Sequence, residues 1–502
     1  MSLFKRTHNS KKAFSLGRPE AEAEFHQTHA TPSLKSIFID EIGAINAIAS
    51  GRFIITGRKG TGKSAIVGYI QLNSHPAVDN ASYSSVVKPF TNHSNALVVT
   101  ASGDDSSVLA YKWTIISKLI WMILETGQGE YTPEIRALKK FYNKYDTLFD
   151  VDNFLKDSSN IKQTMSVNIL LAIFSASFSR EVSKKETEGR PFYLFIPGLL
   201  DVIRRILRMP IFEQYDFSIL FDDLDVGFNL KEMDHRNRIL SLIRIAKEIN
   251  NDPVFNNKVR ILLFLRDDVK RNLSGYACDS SKLFGSYEFP INWFEGRNVP
   301  EYKLKLKKVT NKRLQANFEM REMVYNQVDP FCSYINVDGR QSSAIFMSLL
   351  DYTFYRPRDI INLFLPLDMQ SGYELPLDYN DLKSLIKLFS ERIYDEFSDE
   401  ISIFTSEEER AAIKVLIGRL VSMTKNNESL PYSDFLTLIE PPLAPSIIET
   451  LYEYDVIGIM DNIGDSHYHF RGSYPSVPFE ECSICVPNII RLYFDRSTPI
   501  RL

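Results

Sequence analysis

Short, uninterrupted apolar runs alternate with longer stretches of helical period through the first three-fifths of the chain. Residues 52–56 (RFIIT), bounded by Gly51 and Gly57, read as a buried parallel strand. The same reading applies to 96–100 (ALVVT), 217–221 (FSILF) and 259–265 (VRILLFL), with 287–293 as a fifth strand. Helices are predicted over 63–72, over 106–124, which carries Trp113 and Trp121, and over 236–249 with Ile239, Ile243 and Ile249. Strands that alternate with helices imply right-handed crossovers and a parallel sheet covered on both faces. Residues 41–300 are therefore expected to form an α/β core, with a mostly helical insertion at about 127–210.

Beyond Trp293 the period turns helical, giving a helical region over 301–400, and the Asp- and Glu-rich stretch 391–410 reads as a solvated linker. Helices at 411–423, 432–439 and 444–454, then strands at 456–460 and 468–472, predict a winged helix over 405–502. Residues 1–40 are polar and aperiodic, an expected arm with one short helix near 20–25.

Composition narrows the classes. The chain has 502 residues, 44% hydrophobic and 24% charged, enough apolar material for packed cores. Basic and acidic residues number 59 and 63, for a net charge of -4, which excludes a molecule-wide polycation but not a local basic stripe. Four cysteines are too few for a disulfide framework. Cys482 and Cys485 form a single C-x-x-C with no second pair or flanking His, open to metal or redox work or to two small apolar positions in a strand or loop. The basic, polar start lacks the apolar stretch of a signal peptide, and the longest apolar run, 167–178, is too short to span a bilayer. A cytoplasmic protein with no membrane contact is expected.

The strongest local signal is GRKGTGKS, Gly57 to Ser64, which matches G-x-x-x-x-G-K-[ST] between a strand and a helix. Gly57, Gly60 and Gly62 are expected to take positive φ and let the backbone approach phosphate oxygens. The helix N-terminus behind them aims unpaired N–H groups at an anion. Lys63 is expected to reach the β- and γ-phosphates and the Ser64 hydroxyl to bind Mg²⁺. The candidate nucleotide-binding set is Gly57, Lys59, Gly60, Thr61, Gly62, Lys63, Ser64 and Ala65. The alternative is a glycine-rich turn with no ligand.

A nucleotide–metal site needs a second acidic group. FSILFDDLD carries Asp222 to the sheet's carboxyl edge, where ligands of open α/β sheets sit, and makes it the candidate Mg²⁺-shell residue. Asp223 is the candidate for orienting the attacking water; being shorter than Glu, it predicts slow hydrolysis. Asp225 is a supporting carboxylate or a helix-start residue, and the whole cluster has a capping-and-turn alternative. Arg266, just past a buried strand, is a candidate γ-phosphate contact or an ion-pair partner of a neighbouring aspartate. In FYRPRDIINLF, Arg356 and Arg358 flank Pro357 at a helix start, where an arginine needs an anion opposite it. That anion is a phosphate, which makes Arg356 and Arg358 candidate nucleotide-binding residues sensing the γ-phosphate from a helical lid, or a carboxylate such as Asp359.

With GRKGTGKSA, FDDLD, FLRDD and YRPRDII in this order, the chain resembles a bacterial group of P-loop ATPases related to the AAA+ and STAND classes. AEAEF at 21–25 and LYEYDVIG at 451–458 are also similar to that group. The resemblance implies an added-strand P-loop NTPase core, ATP and Mg²⁺ as cofactors, a helical lid, a C-terminal winged helix, and a role in phage defence or mobile-element regulation. It departs from the pattern at Asp223, where Glu is usual.

The expected outcome is a Mg²⁺-dependent ATPase switch that passes its change to a protein partner or a second copy. The alternative is an ATP-gated DNA-binding protein. The third C-terminal helix disfavours DNA because 444–454 (APSIIETLYEY) carries Glu449 and Glu453 and no Lys or Arg. The basic run 303–313 (KLKLKKVTNKR) reads as a solvated helix face or as a track for nucleic acid or an acidic partner. His467 and His469 are expected on one face of a strand, without a third metal ligand.

Overall fold

The computed structural model describes residues 12–28, 31–74, 82–88, 105–144, 196–224, 233–255, 258–274, 279–296, 299–300, 303–337, 339–370, 372–402, 405–424, 429–472 and 478–502. They fall into two compact units. One comprises Gly43–Arg58 and Lys63–Ile291; the other comprises Met1–Ile42, Lys59–Gly62 and Asn292–Leu502.

The first unit is built on β1 (Ile54–Thr56), β2 (Ser82–Val87), β3 (Asp216–Phe221), β4 (Val259–Leu265) and β5 (Glu288–Pro290). Their order across the sheet is β2-β3-β4-β1-β5 and every pairing is parallel. β1, β3 and β4 lie inside the sheet, and their contiguous Ile, Leu and Phe side chains suit burial on both faces. β5 is an edge, and Pro290 at its end is tolerated there because an edge strand can lack a ladder donor. Helices α1 (Lys63–Asn73), α2 (Asp105–Glu125), α3 (Met233–Asn250) and α4 (Asp267–Ser274) accompany the strands. α3 packs on both α2 and β4. On α2, Trp113 is fully enclosed while Trp121 is 40% exposed.

Two sequence expectations change here. The strand ahead of β3 in the chain is β2 (SYSSVV), which contiguous hydrophobicity does not find. Its buried positions are Tyr83, Ser85 and Val87, the one-sided alternation of an edge strand with serine on both faces. The expected strand 96–100 lies outside the described residues. The strand that separates β1 from β3 in space is β4, which comes later in the chain than either.

The second unit is mainly helical: α5 (Lys305–Met320), α6 (Pro357–Phe364), α7 (Tyr379–Ile401) and α8 (Glu407–Met423). It continues with β6 (Ser429–Pro431), α9 (Tyr432–Leu436), α10 (Ile447–Glu453), β7 (Gly458–Met460), β8 (Ser466–His467), β9 (Ser483–Cys485) and α11 (Asn488–Phe494). The last four strands form an antiparallel sheet in the order β6-β9-β7-β8.

The expected linker at 391–410 is wrong over most of its length. α7 runs to Ile401 and buries Ile393, Tyr394, Phe397 and Ile401, an apolar stripe at three- and four-residue spacing hidden among the acids. Tyr394 stacks on Tyr493 of α11 at 4.3 Å. α8 then opens with a capping box in which Ser406 and Glu409 satisfy each other's backbone N–H. The expected strand at 468–472 is also displaced: β8 ends at His467, and residues 469–471 form a 3₁₀ turn closed by Gly472 at φ +65°.

The expected N-terminal arm is packed from residue 12 onward. Phe14, Leu16, Leu34 and Ile37 are buried, Phe14 meets Phe318 edge-on at 5.2 Å, and the Tyr334 hydroxyl donates to the Phe14 carbonyl. The short helix expected near 20–25 is a 3₁₀ turn, Ala21–Glu24.

Candidate functional site

In the sheet unit, β1 delivers the chain to Gly57 and Arg58, and α1 begins at Lys63. The Lys63 ammonium donates to the carbonyls of Gly57 (2.7 Å) and Arg58 (3.0 Å), which folds it back across the loop's own stem. The Ser64 hydroxyl and the Lys63 charge both favour the ionised form of Asp222, which follows β3 and is only 2% exposed. The motif's lysine and serine and the acidic strand end are thus one cluster.

Asp222 is held far from its ordinary protonation behaviour. Burial is the main cause and the neighbouring Asp223 charge the second; together they push its pKa up to about 6. The Asp223 N–H, the Ser64 hydroxyl and Lys63 act in the opposite sense and are outweighed. A buried carboxylate that is expensive to ionise, next to a serine hydroxyl, is a donor set suited to a hard divalent cation. Mg²⁺ needs only one or two such carboxylates because phosphate and water fill its remaining positions. Among the described residues there is no group of three or more His, Cys, Asp or Glu that would hold a metal by itself.

Asp223 sits in the left-handed region at φ +54°, a conformation Asp tolerates better than most residues. Its carboxylate lies 3.4 Å from the Lys88 ammonium and is 38% exposed. Asp225 lies outside the described residues. Arg266 takes the ion-pair alternative: its Nε and Nη2 donate to the two oxygens of Asp268 at 3.2 and 2.7 Å. The residue that sequence reading passed over is Asp267. Burial pushes its pKa up while Lys63 and Arg58 pull it down, which puts it within electrostatic reach of the lysine of the motif. The signal was present in FLRDD, where three ionisable residues follow a buried strand, but spacing alone does not say which one faces the lysine.

The middle of the loop, Lys59–Gly62, groups with the helical unit. Gly60 and Gly62 have φ of +82° and +97°, as expected; Gly57 is not among the positive-φ glycines. A Cβ on Gly60 would lie 3.0 Å from the Arg358 Cβ, so glycine suits the tight space there as well as the positive φ. Three consecutive carbonyls accept hydrogen bonds in this unit: Lys59 from Arg356 Nη1 (3.1 Å), Gly60 from the Arg358 N–H (3.4 Å) and Thr61 from Trp293 Nε1 (2.9 Å). Lys59 itself lies 3.6 Å from Glu400.

Arg356 and Arg358 differ in kind. Arg356 is 5% exposed and its guanidinium is bound to Asp359, which is fully buried, with Glu396 at 3.6 Å. Burial works against its charge but is outweighed by Asp359, Glu396 and Glu400, so its pKa is raised. The Arg358 side chain donates from Nε to the Pro19 carbonyl at 3.3 Å. Ala65, the last residue of the expected set, lies in the first turn of α1 and is partly exposed.

The basic run on α5 is not a solvated stripe. Lys307 is 3% exposed and bound to Asp329 at 2.8 Å, and Arg313 is 8% exposed and pairs with Glu24. Lys308 meets Glu41 at 2.7 Å and Lys305 meets Glu295 at 3.4 Å. His467 and His469 do not share a strand face: His467 is in β8 against Asp461 at 2.9 Å, and His469 lies in the following 3₁₀ turn. Cys482 and Cys485 are buried; burial pushes the Cys485 thiol up to about 11, against thiolate chemistry.

The Asp222 shift predicts a pH-dependent stability difference. Between its ordinary value near 3.8 and about 6, the folded chain keeps a proton that the unfolded chain has released, so stability falls as pH rises through that window. Above it the ionised carboxylate costs on the order of 2–3 kcal/mol. Asp222→Asn is expected to raise the melting temperature by several degrees at pH 7.5 and by almost nothing at pH 4. Thermal denaturation of both chains across pH 4–8 checks this, and an equal gap at both ends would exclude the titration.

No protein-family model and no solved structure matches the chain. It is 22% identical over 475 residues to the "Putative transposon gamma-delta 80.3 kDa protein" of Escherichia coli strain K12, an alignment covering 86% of this chain. The chain spans about 60% of that relative's length. Among the described residues, no helix is long and apolar enough to cross a membrane.

Proposed function

We propose that this chain is a Mg²⁺-dependent, ATP-binding P-loop ATPase of the added-strand type that works as a conformational switch. One observation carries the reading: Lys63 and Ser64 at the start of α1 both act on the buried Asp222 at the end of β3, favouring its ionised form. The sheet order supports it, because β4 lies between the strand leading into the glycine-rich loop and the strand ending in the acidic pair. Ser64 and Asp222 would hold the metal, whose part is to neutralise phosphate charge. Lys63 would exchange its carbonyl partners for phosphate oxygens, and Asp223 would orient water.

The helices and antiparallel strands after residue 405 are read as a winged-helix-like module that meets a protein partner or a second copy. The relative's name favours a mobile-element setting. The alternative, ATP-gated DNA binding, is disfavoured by the pairing of Lys305, Lys307, Lys308 and Arg313 with carboxylates. Calorimetric titration of the purified chain with ATP, ADP and GTP, with and without Mg²⁺, tests the reading together with a phosphate-release assay. Asp223→Asn is expected to keep nucleotide affinity within about threefold and lose at least about tenfold in turnover. A wild-type chain that binds no nucleotide would end the proposal.

A further inference from the structure

A buried ionic cluster that the proposed chemistry does not use, Arg356, Asp359 and Glu396, lies next to the loop segment Lys59–Gly62. Arg356 sits at the N-cap of α6, the positive end of a helix, where its charge is unfavourable unless an anion answers it. The anion is Asp359, one turn inside the helix. Its Oδ1 accepts from Arg356 Nε at 2.8 Å and lies 2.6 Å from Nη2, while Oδ2 accepts from the Phe354 N–H at 2.8 Å. Both ends of the carboxylate are therefore fixed, and the guanidinium plane is fixed with them. What remains is Nη1, and it points at the Lys59 carbonyl.

We propose that Arg356 is a positioning residue: clamped by Asp359, it holds the Lys59 carbonyl and so sets the loop's backbone conformation, without touching phosphate. The proposal rests on the nucleotide-binding reading above and departs from the expectation that Arg356 senses the γ-phosphate. A guanidinium engaged on Nε, Nη1 and Nη2 and 5% exposed has no edge left for a triphosphate. Orienting a carbonyl matters because an anion-binding loop presents N–H groups, so each C=O must be turned away and satisfied elsewhere. Arg356, the Arg358 backbone and Trp293 do this for Lys59, Gly60 and Thr61 in turn.

Sensing and positioning predict different losses. A γ-phosphate contact affects ATP and spares ADP, whereas a loop held in the wrong conformation weakens both alike. The variants are Arg356→Lys, which keeps a cation for Asp359 but lacks the planar fork, and Asp359→Asn, which touches the loop only through Arg356. Each is titrated with MgATP and with MgADP. Deuterium uptake of the peptide covering residues 58–62 is followed in the nucleotide-free chain. Both variants are expected to lose about tenfold or more in affinity for ADP and ATP equally, and to exchange faster in that peptide. Loss confined to ATP, or an Asp359→Asn chain with wild-type ADP affinity, overturns the proposal. Unchanged exchange in the 58–62 peptide does so as well, and because it needs no ligand it separates this failure from a failure of the wild-type chain to bind nucleotide.

Discussion

Lys63→Ala is expected to weaken ATP and ADP binding on the order of a hundredfold while the chain stays folded. The ammonium donates to the carbonyls of Gly57 and Arg58 in its own loop stem and stands within electrostatic reach of Asp222 and Asp267, so the melting curve of the variant is read beside its affinity. A charge-assisted contact to phosphate contributes roughly 1.5–3 kcal/mol, and an uncancelled phosphate charge at a desolvated site adds to the loss. Titration calorimetry with both nucleotides reads the affinity and a melting curve reads the fold. Wild-type affinity in the variant would remove the phosphate-loop assignment.

The second large effect concerns stability. Glu24 is fully buried, and its two oxygens accept from Arg313 Nη1 and Nη2 at 2.8 and 2.9 Å, with the Arg18 N–H as a further donor at 2.6 Å. Truncating one partner of such a pair strands the other charge without water or counter-ion, which typically costs about 3–5 kcal/mol. Glu24→Ala and Arg313→Ala are each expected to destabilise the chain by that amount in urea unfolding. The double variant should lose clearly less than the sum, because no charge is then left behind. Strict additivity would mean that the pair contributes nothing as a pair.

What was legible in the sequence had a short-range cause. The loop from Gly57 to Ser64 is dictated by local steric and spacing rules, and β3 and β4 by contiguous apolar residues, so Lys63, Ser64 and Asp222 were readable together. β2 was not, because SYSSVV buries only alternate positions and shows no hydrophobic run. The acids of α7 concealed its buried stripe in the same way, since composition averages over faces that a helix separates.

Arginines were the least readable. Arg266, Arg313 and Arg356 all looked available on the page, and each is claimed by a carboxylate: two and three residues away for Arg266 and Arg356, and 289 residues away for Arg313. The first two pairings were open alternatives at the sequence level. The third was beyond any local rule.

That long separation bears on how the protein is made. Glu24 leaves the ribosome long before Arg313, while Gly43–Arg58 and Lys63–Ile291 can gather around their parallel sheet in the meantime. At roughly 5–20 residues per second, the stretch from Asn292 to Leu502 takes about ten to forty seconds more to emerge. Through that interval the nascent segment holding Phe14, Leu16 and Glu24 waits without its packing partners, the period in which a chaperone would have the most to bind.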